Sequence, residues 1–179
     1  MVGRHSVLGI FVLGLMTLTS AHGAEDTVHL HEPSGSYFEL LDFAWTRKNE
    51  ISWDKAAEKA GRENYRGRRG QLAIVDTVDK HQFIRRHFDF RRPAWIGLRY
   101  WCSFRKMMWV DGSVHTHQAY QPWTTPWHRT GIRCGRNKIP WMPVYYTKDE
   151  RWQAAGYRKA FRSMIVEYPA KAVPREAKK

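Results

Sequence analysis

The sequence predicts one domain of the α+β class, and three observations support this assignment. Two tryptophan-bearing segments of strand composition, residues 95–98 (WIGL) and 109–112 (WVDG), stand close together in the chain. Two stretches with helix-capping residues precede them, and a long aromatic segment without regular periodicity follows them. A chain of 179 residues can bury a substantial core, and it fits one domain better than two.

Residues 1–23 have the features of a secretory signal peptide. Arg4 supplies a positive charge, residues 7–18 form an apolar run, and the small residues Ala21 and Gly23 stand where cleavage is expected. An uncleaved membrane anchor is the alternative, but the apolar run is short for a span of about 20 residues. No later stretch is long and apolar enough to cross a bilayer. We therefore expect a soluble protein, secreted or periplasmic, with no transmembrane segment in the mature chain.

The folded domain is predicted to extend from residue 35 to residue 169. Residues 24–34 are polar and lack strong periodicity, so they are interpreted as a leader. Residues 170–179 form a short basic tail after Pro169. No internal repeat or long low-complexity tract interrupts the domain.

Two short helices are predicted from their capping signals. Ser52 can cap a helix that carries alanines on one face and stops at Gly61. Thr77 can cap a second helix with an imperfect apolar face, which Pro93 is expected to end.

Five strands are predicted from aromatic and β-branched composition: residues 37–43, 71–75, 94–98, 107–110 and 161–168. Asp111 and Gly112 supply turn chemistry after the fourth strand. The segment from Ser113 to Trp141 is long for a loop in a compact domain, so we expect it to be functional or packed by its own aromatic residues.

The two tryptophan-bearing segments resemble the signature of the C-type lectin-like domain, and the order of elements from about Gly35 to Pro169 is similar to that of this family. The resemblance implies two short helices that flank small antiparallel sheets, with a long aromatic loop. It also implies a recognition module rather than an enzyme. Five residues match positions that shape this fold and are assigned structural roles: Trp95, Gly97, Trp109, Gly112 and Trp152.

Sugar-binding members of this family hold calcium with oxygen ligands from a loop tripeptide and from a Trp-Asn-Asp strand. Residues 125–127 (TPW) resemble the loop tripeptide of the family, and in another alignment residues 121–123 (QPW) do. The strand motif resembles residues 152–154 (WQA), which carry no aspartate. Asp149 and Glu150 stand nearby, but calcium needs several oxygen ligands, preferably with carboxylates among them. We therefore expect no metal site and no cofactor.

The two cysteines also depart from the family pattern. The family often joins its first helix to its last strand by a disulfide, and those positions resemble Ala60 and Val166. Cys134 resembles the loop cysteine of the family, but its usual partner near Tyr157 is missing, which leaves Cys102 as the available partner. A bridge suits an exported protein, and two free buried thiols are the alternative.

Catalytic and transition-metal chemistry are disfavoured. Cys134 follows His128 by six residues, but no orienting third residue is evident for a thiol nucleophile. No phosphate-binding glycine loop, His-Glu-x-x-His zinc motif or Gly-x-Ser-x-Gly elbow is present. Two pairs of alternate histidines lack a third ligand nearby and are interpreted as exposed loop residues: His29 with His31, and His115 with His117.

The chain is strongly basic, with a formal net charge of +13. Such an excess favours anionic partners, and export makes nucleic acid the least suitable of these. Two arginine clusters contribute to the charge, and both are interpreted as solvated surface without a dedicated ligand: Arg62, Arg66, Arg68 and Arg69, then Arg85, Arg86, Arg91 and Arg92.

The long aromatic loop is the predicted recognition surface. An indole can stack on a sugar while neighbouring basic groups meet its anionic substituents. The predicted ligand-binding residues are Trp127, His128, Arg129, Arg133, Arg136 and Lys138. Trp123 and Trp141 are assigned instead to the loop's own packing. The leading hypothesis is calcium-independent binding of a glycan or surface polymer, preferably anionic. The alternatives are a protein-binding or adhesion module that uses the same loop and, remotely, a cysteine-dependent enzyme.

Overall fold

The computed structural model describes residues 27–43, 49–116, 118–125, 134, 140–156 and 158–170. The predicted signal peptide and nearly all of the predicted basic tail therefore lie outside the described residues. Among the residues described, no helix has both the length and the apolar character needed to span a bilayer.

Two helices and a set of short strands form the described fold. The helices are α1 (Trp53–Ala60) and α2 (Val78–His87). The strands of the first half are β1 (Val28–His31), β2 (Ser36–Asp42), β3 (Ile51–Ser52), β4 (Asn64–Tyr65), β5 (Arg68–Arg69) and β6 (Gln71–Leu72). Those of the second half are β7 (Ala94–Trp101), β8 (Lys106–Trp109), β9 (Val114–His115), β10 (Trp141–Tyr146), β11 (Trp152–Ala154), β12 (Ala160–Phe161) and β13 (Ser163–Tyr168).

One large sheet organises the domain. Its strands follow the order β1-β2-β13-β7-β10-β11, with β6 paired to β13 and β8 paired to β7 and β9. The pairings are antiparallel except that of β13 with β7, which is parallel. The pairs β3–β12 and β4–β5 form small separate sheets. The predicted α+β class, with two short helices and small sheets, is confirmed.

The closing strand β13 separates two halves of the core. Its Met164 and Val166 pack with α1 and Trp95, whereas Ile165 packs with α2 and Ile96. Successive side chains of a strand point to opposite faces, so one strand serves both halves. This explains why β13 is buried along its whole length.

The two tryptophan-bearing segments are neighbours in the large sheet. Leu98 on β7 is the register partner of Trp109 on β8. Trp95 is fully buried, and its indole Nε1 donates to the carbonyl oxygen of Ile51 at 2.9 Å. Trp109 and Trp152 are also buried, with 3% and 0% of their surface exposed. Gly97 lies against the backbone of β6, which leaves no space for a side chain.

The predicted start of the domain at residue 35 is corrected by the structure. Val28–His31, part of the predicted polar leader, forms β1 and pairs antiparallel with β2. His31 is buried there, and both of its ring nitrogens have polar partners. Nε2 lies 2.8 Å from Asp79 Oδ2, and Nδ1 lies 2.8 Å from Ser34 Oγ. A strand at the edge of a sheet needs little apolar patterning of its own, which is why the sequence signal was weak.

The end of the second helix is also corrected. Thr77 caps α2 as predicted, and its hydroxyl accepts from the Lys80 backbone N–H at 3.2 Å. The helix ends at His87 rather than at Pro93, because Phe88 takes an extended conformation. Phe88 and Phe90 then both enter the core, which continued helix would not allow together.

Candidate functional site

The long loop leaves the sheet after β9 and is attached to it again beside β11. The Trp152 N–H donates to the Pro122 carbonyl oxygen at 2.8 Å, and the Thr124 N–H donates to the Trp152 carbonyl oxygen at 2.9 Å. The Trp123 ring meets the Trp152 ring edge to face, with 5.5 Å between centroids. Trp123 thus packs at the base of the loop.

A disulfide ties the loop to the end of β7. The sequence left two free thiols as an alternative, and the structure joins Cys102 to Cys134, with 5.5 Å between the Cα atoms. The Cys102 N–H also donates to the Pro140 carbonyl oxygen at 3.1 Å, close to where the loop returns to β10. Neither sulfur is a free thiol, so Cys134 is not available as a nucleophile in this state.

A polar pocket of about 350 Å³ lies between α2, the start of the loop and the turn after β10; we refer to it as the α2 pocket. Its lining residues are His81, Arg85, Tyr120, Gln121, Pro122, Trp123, Asp149, Glu150 and Arg151. The pocket therefore contains two guanidinium groups, two carboxylates, an amide, a phenol and an indole. These groups can donate and accept hydrogen bonds beside flat aromatic surface.

The turn that carries Glu150 fixes the acidic side of the α2 pocket. Glu150 has a positive φ of 59°, which is uncommon for a residue other than glycine. Its backbone N–H donates to Thr147, and its carboxylate accepts from Arg85 Nε. The ion pair joins α2 to the turn and aims both groups toward the pocket.

His81 forms the buried wall of the α2 pocket. Its Nδ1 lies 2.6 Å from the hydroxyl of Tyr146, and the two rings stack. Burial, with a further contribution from Arg85, lowers the pKa of His81 to about 4, so the imidazole is neutral at physiological pH. Burial also raises the pKa of Tyr120. Both groups act as neutral hydrogen-bonding partners rather than as charges.

A second pocket, of about 280 Å³, lies on the other side of Gln121 along β8 and β9; we refer to it as the β8 pocket. Arg105 and Lys106 supply its positive charge, and Met107 and Val114 supply apolar surface. Gln121 contributes to both pockets, so the start of the long loop separates them.

The residues predicted to bind ligand cannot be placed beside these pockets. Trp127, His128, Arg129, Arg133, Arg136 and Lys138 lie outside the described residues. Trp141 is described and is buried, with 7% of its surface exposed. It packs 5.7 Å from the Trp53 ring, in the core rather than in the loop.

The described donor set at β11 does not fit calcium. Ala154 is buried and has no side-chain oxygen, and Gln153 Oε1 accepts a hydrogen bond from the Tyr145 hydroxyl at 2.8 Å. Within the described part of the chain, no group of three histidine, cysteine or acidic residues could hold a metal ion. Calcium prefers several carboxylate and carbonyl oxygens at one position. The residues that the structure describes do not provide that arrangement.

The described histidines of the two pairs lie in strands rather than in exposed loops, contrary to our expectation. His31 is buried in β1, and His115 is buried in β9 against the Trp109 and Trp152 rings. His29 packs 4.8 Å from the ring of His87. His117 lies outside the described residues.

The α2 pocket could not be predicted from the sequence, because its parts are distant in the chain. Arg85 and Glu150 are separated by 65 positions. The sequence placed Arg85 in a surface arginine cluster, and it offered Glu150 only as an acidic residue near an incomplete set of calcium ligands. The polar sequence of residues 147–151 is typical of a surface turn, and such turns often carry binding residues.

The chain is similar to C-type lectin domains in sequence and in structure. The family model "Lectin C-type domain" matches residues 49–158. No curated protein matches the sequence at a significant level.

Three solved structures illustrate the structural similarity. The mouse scavenger receptor C-type lectin carbohydrate-recognition domain is 15% identical, with a TM-score of 0.59, and the match covers 83% of this chain and 100% of that chain. Human lithostathine is 16% identical, with a TM-score of 0.59 and coverage of 88% and 99%. The cow carbohydrate-recognition domain of CD23 is 15% identical, with a TM-score of 0.53 and coverage of 75% and 88%. At this identity the likeness establishes the fold alone.

Proposed function

Because the chain belongs to the C-type lectin domain family, we propose that it is an exported, non-enzymatic module that binds carbohydrate without calcium. The proposed binding surface comprises the α2 pocket and the predicted ligand-binding residues of the long loop. Anionic glycans are the preferred ligands.

The observation that carries this proposal is the composition of the α2 pocket. Sugar hydroxyls both donate and accept hydrogen bonds, and the pocket offers the Arg85–Glu150 pair and Arg151 for them. The rings of Tyr120 and Trp123 supply flat apolar surface for the ring face of a sugar. Groups held by an ion pair need little further ordering when a ligand binds.

Calcium independence rests on the residues at β11. Gln153 is already engaged with Tyr145, and Ala154 offers no ligand. A sugar would therefore meet protein hydrogen-bonding groups directly. The cow CD23 structure was obtained in the presence of GlcNAc2Man3 oligosaccharide, and another neighbour, SPL-1, in complex with GlcNAc. Those proteins make carbohydrate a reasonable ligand class here by fold-level analogy.

The anionic preference rests on charge. The formal net charge is +13, and the predicted loop residues include Arg129, Arg133, Arg136 and Lys138. Trp127 is the proposed stacking residue among them. Carboxylate or sulfate groups on a glycan would form charge-assisted hydrogen bonds with such side chains.

A glycan array probed with and without calcium tests the proposal most directly. We expect binding to acidic glycans that persists in a chelator such as EDTA. Glu150→Gln and Trp127→Ala should each weaken the best ligand about fivefold, a loss of about 1 kcal/mol. The matched control for the first change is Asp89→Asn, because Asp89 is an exposed carboxylate with 76% of its side chain accessible and lies outside the pocket.

Two results would contradict the proposal. Loss of binding in EDTA that added calcium restores would show a metal requirement. A collapse of thermal stability in Trp127→Ala would assign that residue to packing instead.

One observation favours a protein partner as the second candidate. Phe104, at the β7–β8 turn, has 62% of its surface exposed, and its ring lies 6.1 Å from that of Trp101. Exposed aromatic residues are common at protein interfaces. Such an interface would persist as salt rises, whereas binding of acidic glycans should weaken.

A further inference from the structure

The first arginine cluster of the sequence lies on a tight β-hairpin. Asn64 pairs with Arg69 and Tyr65 pairs with Arg68, so the turn consists of Arg66 and Gly67. Their φ angles are 51° and 71°, the values of a type I′ turn. The hairpin therefore presents one arginine at its tip and two more on β5.

Arginine is an unfavourable choice for the tip of this turn. The first position of a type I′ turn favours asparagine, aspartate or glycine, because other side chains are strained at positive φ. A strained residue that the surrounding structure retains is a reason to look for a function. The side chain of Arg66 is therefore the feature of this turn that needs an explanation.

Aromatic rings and backbone carbonyl oxygens hold the guanidinium groups of the hairpin in place. Arg66 Nη1 donates to the Tyr37 hydroxyl at 3.0 Å, and its guanidinium lies 5.3 Å and 5.4 Å from the ring centroids of Tyr37 and Tyr65. The Arg68 guanidinium lies 4.8 Å from the Tyr37 ring and donates to the Gly35 carbonyl oxygen. Arg69 Nε donates to the Gly61 carbonyl oxygen at 2.6 Å.

These three guanidiniums have no ion-pair partner among the described residues. Each of their described hydrogen-bond acceptors is a hydroxyl or a carbonyl oxygen, and no described carboxylate lies within 4.0 Å of them. Arg62, the fourth member of the cluster, is paired with Glu58.

The second arginine cluster provides the contrast. Three of its members contact carboxylates: Arg85 with Glu150, Arg91 with Asp89, and Arg92 with Asp42. Each cluster contains four arginines, but three of the four in the second cluster contact a described carboxylate, against one of the four in the first. An anion would therefore meet more positive charge without a carboxylate partner at the hairpin than at the second cluster.

We propose that the tip of the β4–β5 hairpin is a second ligand site, which binds the sulfate or phosphate ester groups of an acidic polysaccharide. The planar guanidinium group presents paired N–H donors that match the oxygens of such esters. Stacking on Tyr37 and Tyr65 lowers the side-chain entropy lost on binding. The hairpin shares no residue with the α2 pocket or the β8 pocket, so this site acts independently of the proposed loop site.

Arg66→Asn is the variant that tests the hairpin site. It removes one charge and places asparagine before Gly67, the preferred pair for a type I′ turn, so the thermal unfolding temperature should not fall. Isothermal titration with a heparin-derived hexasaccharide should show affinity about fivefold lower than that of the unchanged protein. An inorganic polyphosphate chain as the second probe tests whether the hairpin also binds phosphate oxygens, as distinct from the sulfate groups of heparin.

Arg91→Asn is the matched control, because it removes the same charge from an exposed arginine of the second cluster. We expect its affinity for both probes to stay within about twofold of the unchanged protein, since the carboxylate of Asp89 already offsets that charge. Equal losses in Arg66→Asn and Arg91→Asn would mean that overall charge alone drives binding, which overturns the proposal. Unchanged affinity in Arg66→Asn would also overturn it. Both proposed sites take anionic glycans, so Arg66→Asn is also titrated in the Trp127→Ala background. A loss that persists there belongs to the hairpin, whether or not the loop site binds.

Discussion

Gly97 shows how a single residue allows the signature strand to pack. A Cβ at this position would lie 2.7 Å from the Leu72 carbonyl oxygen and 3.0 Å from Val110 Cγ2. The Gly97 N–H also donates to the Ala73 carbonyl oxygen at 2.9 Å. The glycine is required by close approach of two backbone segments rather than by an unusual φ angle.

We predict that Gly97→Ala destabilises the protein by about 2 kcal/mol, because the nearest obstacle is backbone that cannot rotate away. Urea unfolding measures this loss. Gly156→Ala is the control, since a Cβ at Gly156 would meet nothing within 4 Å. Similar losses in the two variants would point to a general cost of replacing glycine and would contradict the packing argument.

His81 makes the stability of the fold depend on pH. Burial lowers the pKa of His81 in the folded state to about 4, below the ordinary value of 6.5 that it takes when unfolded. The unfolded chain therefore binds the proton more tightly than the native state between these values. Stability due to the neutral imidazole is present above pH 6.5 and is lost as pH falls through the folded pKa.

We predict that acidification from pH 7 to pH 4 lowers the free energy of unfolding through His81 by about 3 kcal/mol. Urea unfolding across this range, compared with His81→Gln, isolates the contribution. The variant should be less stable at pH 7, because the hydrogen bond to Tyr146 is altered, and should lose less stability on acidification. Parallel pH profiles in the two proteins would show that His81 does not titrate in this way.

At the scale of elements, a buried ion pair joins α2 to the closing strand. Lys80 Nζ lies 2.9 Å from Asp76 Oδ1, 3.1 Å from the Ile74 carbonyl oxygen and 3.7 Å from Glu167 Oε1. Glu167 Oε2 accepts from the Ile74 N–H at 2.9 Å. Burial raises the pKa of Glu167, and Lys80 opposes that shift. The lysine thus allows a carboxylate to be buried in β13.

We predict that Lys80→Met destabilises the protein by about 3 kcal/mol, because it leaves the buried Glu167 carboxylate without its cation. The double variant Lys80→Met/Glu167→Gln should recover part of the loss. Lys59→Met is the control, since Lys59 forms a more exposed pair with Glu63 and surface pairs contribute about 0 to 1 kcal/mol. Chemical unfolding of these variants and of Glu167→Gln alone, compared with the unchanged protein, measures the coupling. Failure of the double variant to recover any stability would indicate that Lys80 acts through packing alone.

The elements also show how far local sequence signals extend. The starts of both helices, after Ser52 and Thr77, were predicted from capping residues, although only Thr77 makes a side-chain cap hydrogen bond. The end of α2 was not, because the burial of Phe88 and Phe90 against distant parts of the chain decides it. The short pair β4–β5 was missed for a local reason, since arginine at its turn is not a hairpin signal.

At the scale of the whole molecule, the structure distinguishes charges that the composition treats alike. The excess of basic residues predicts anionic partners wherever the charge lies. Most described arginines of the second cluster face carboxylates, whereas those of the β4–β5 hairpin face hydroxyl and carbonyl oxygens. The position of the arginines relative to carboxylates, rather than the number of arginines, therefore identifies the proposed anion site.

The sequence by itself determined the fold family and the starts of the helices, because both depend on residue types at fixed spacing, and it determined the sign of the net charge, because that depends on composition alone. Only the tertiary structure decided that Cys102 meets Cys134, that β1 joins the large sheet and that Arg85 meets Glu150 in the α2 pocket. Those contacts join residues far apart in the chain. Their distances depend on how the elements pack around β13, which no local pattern encodes.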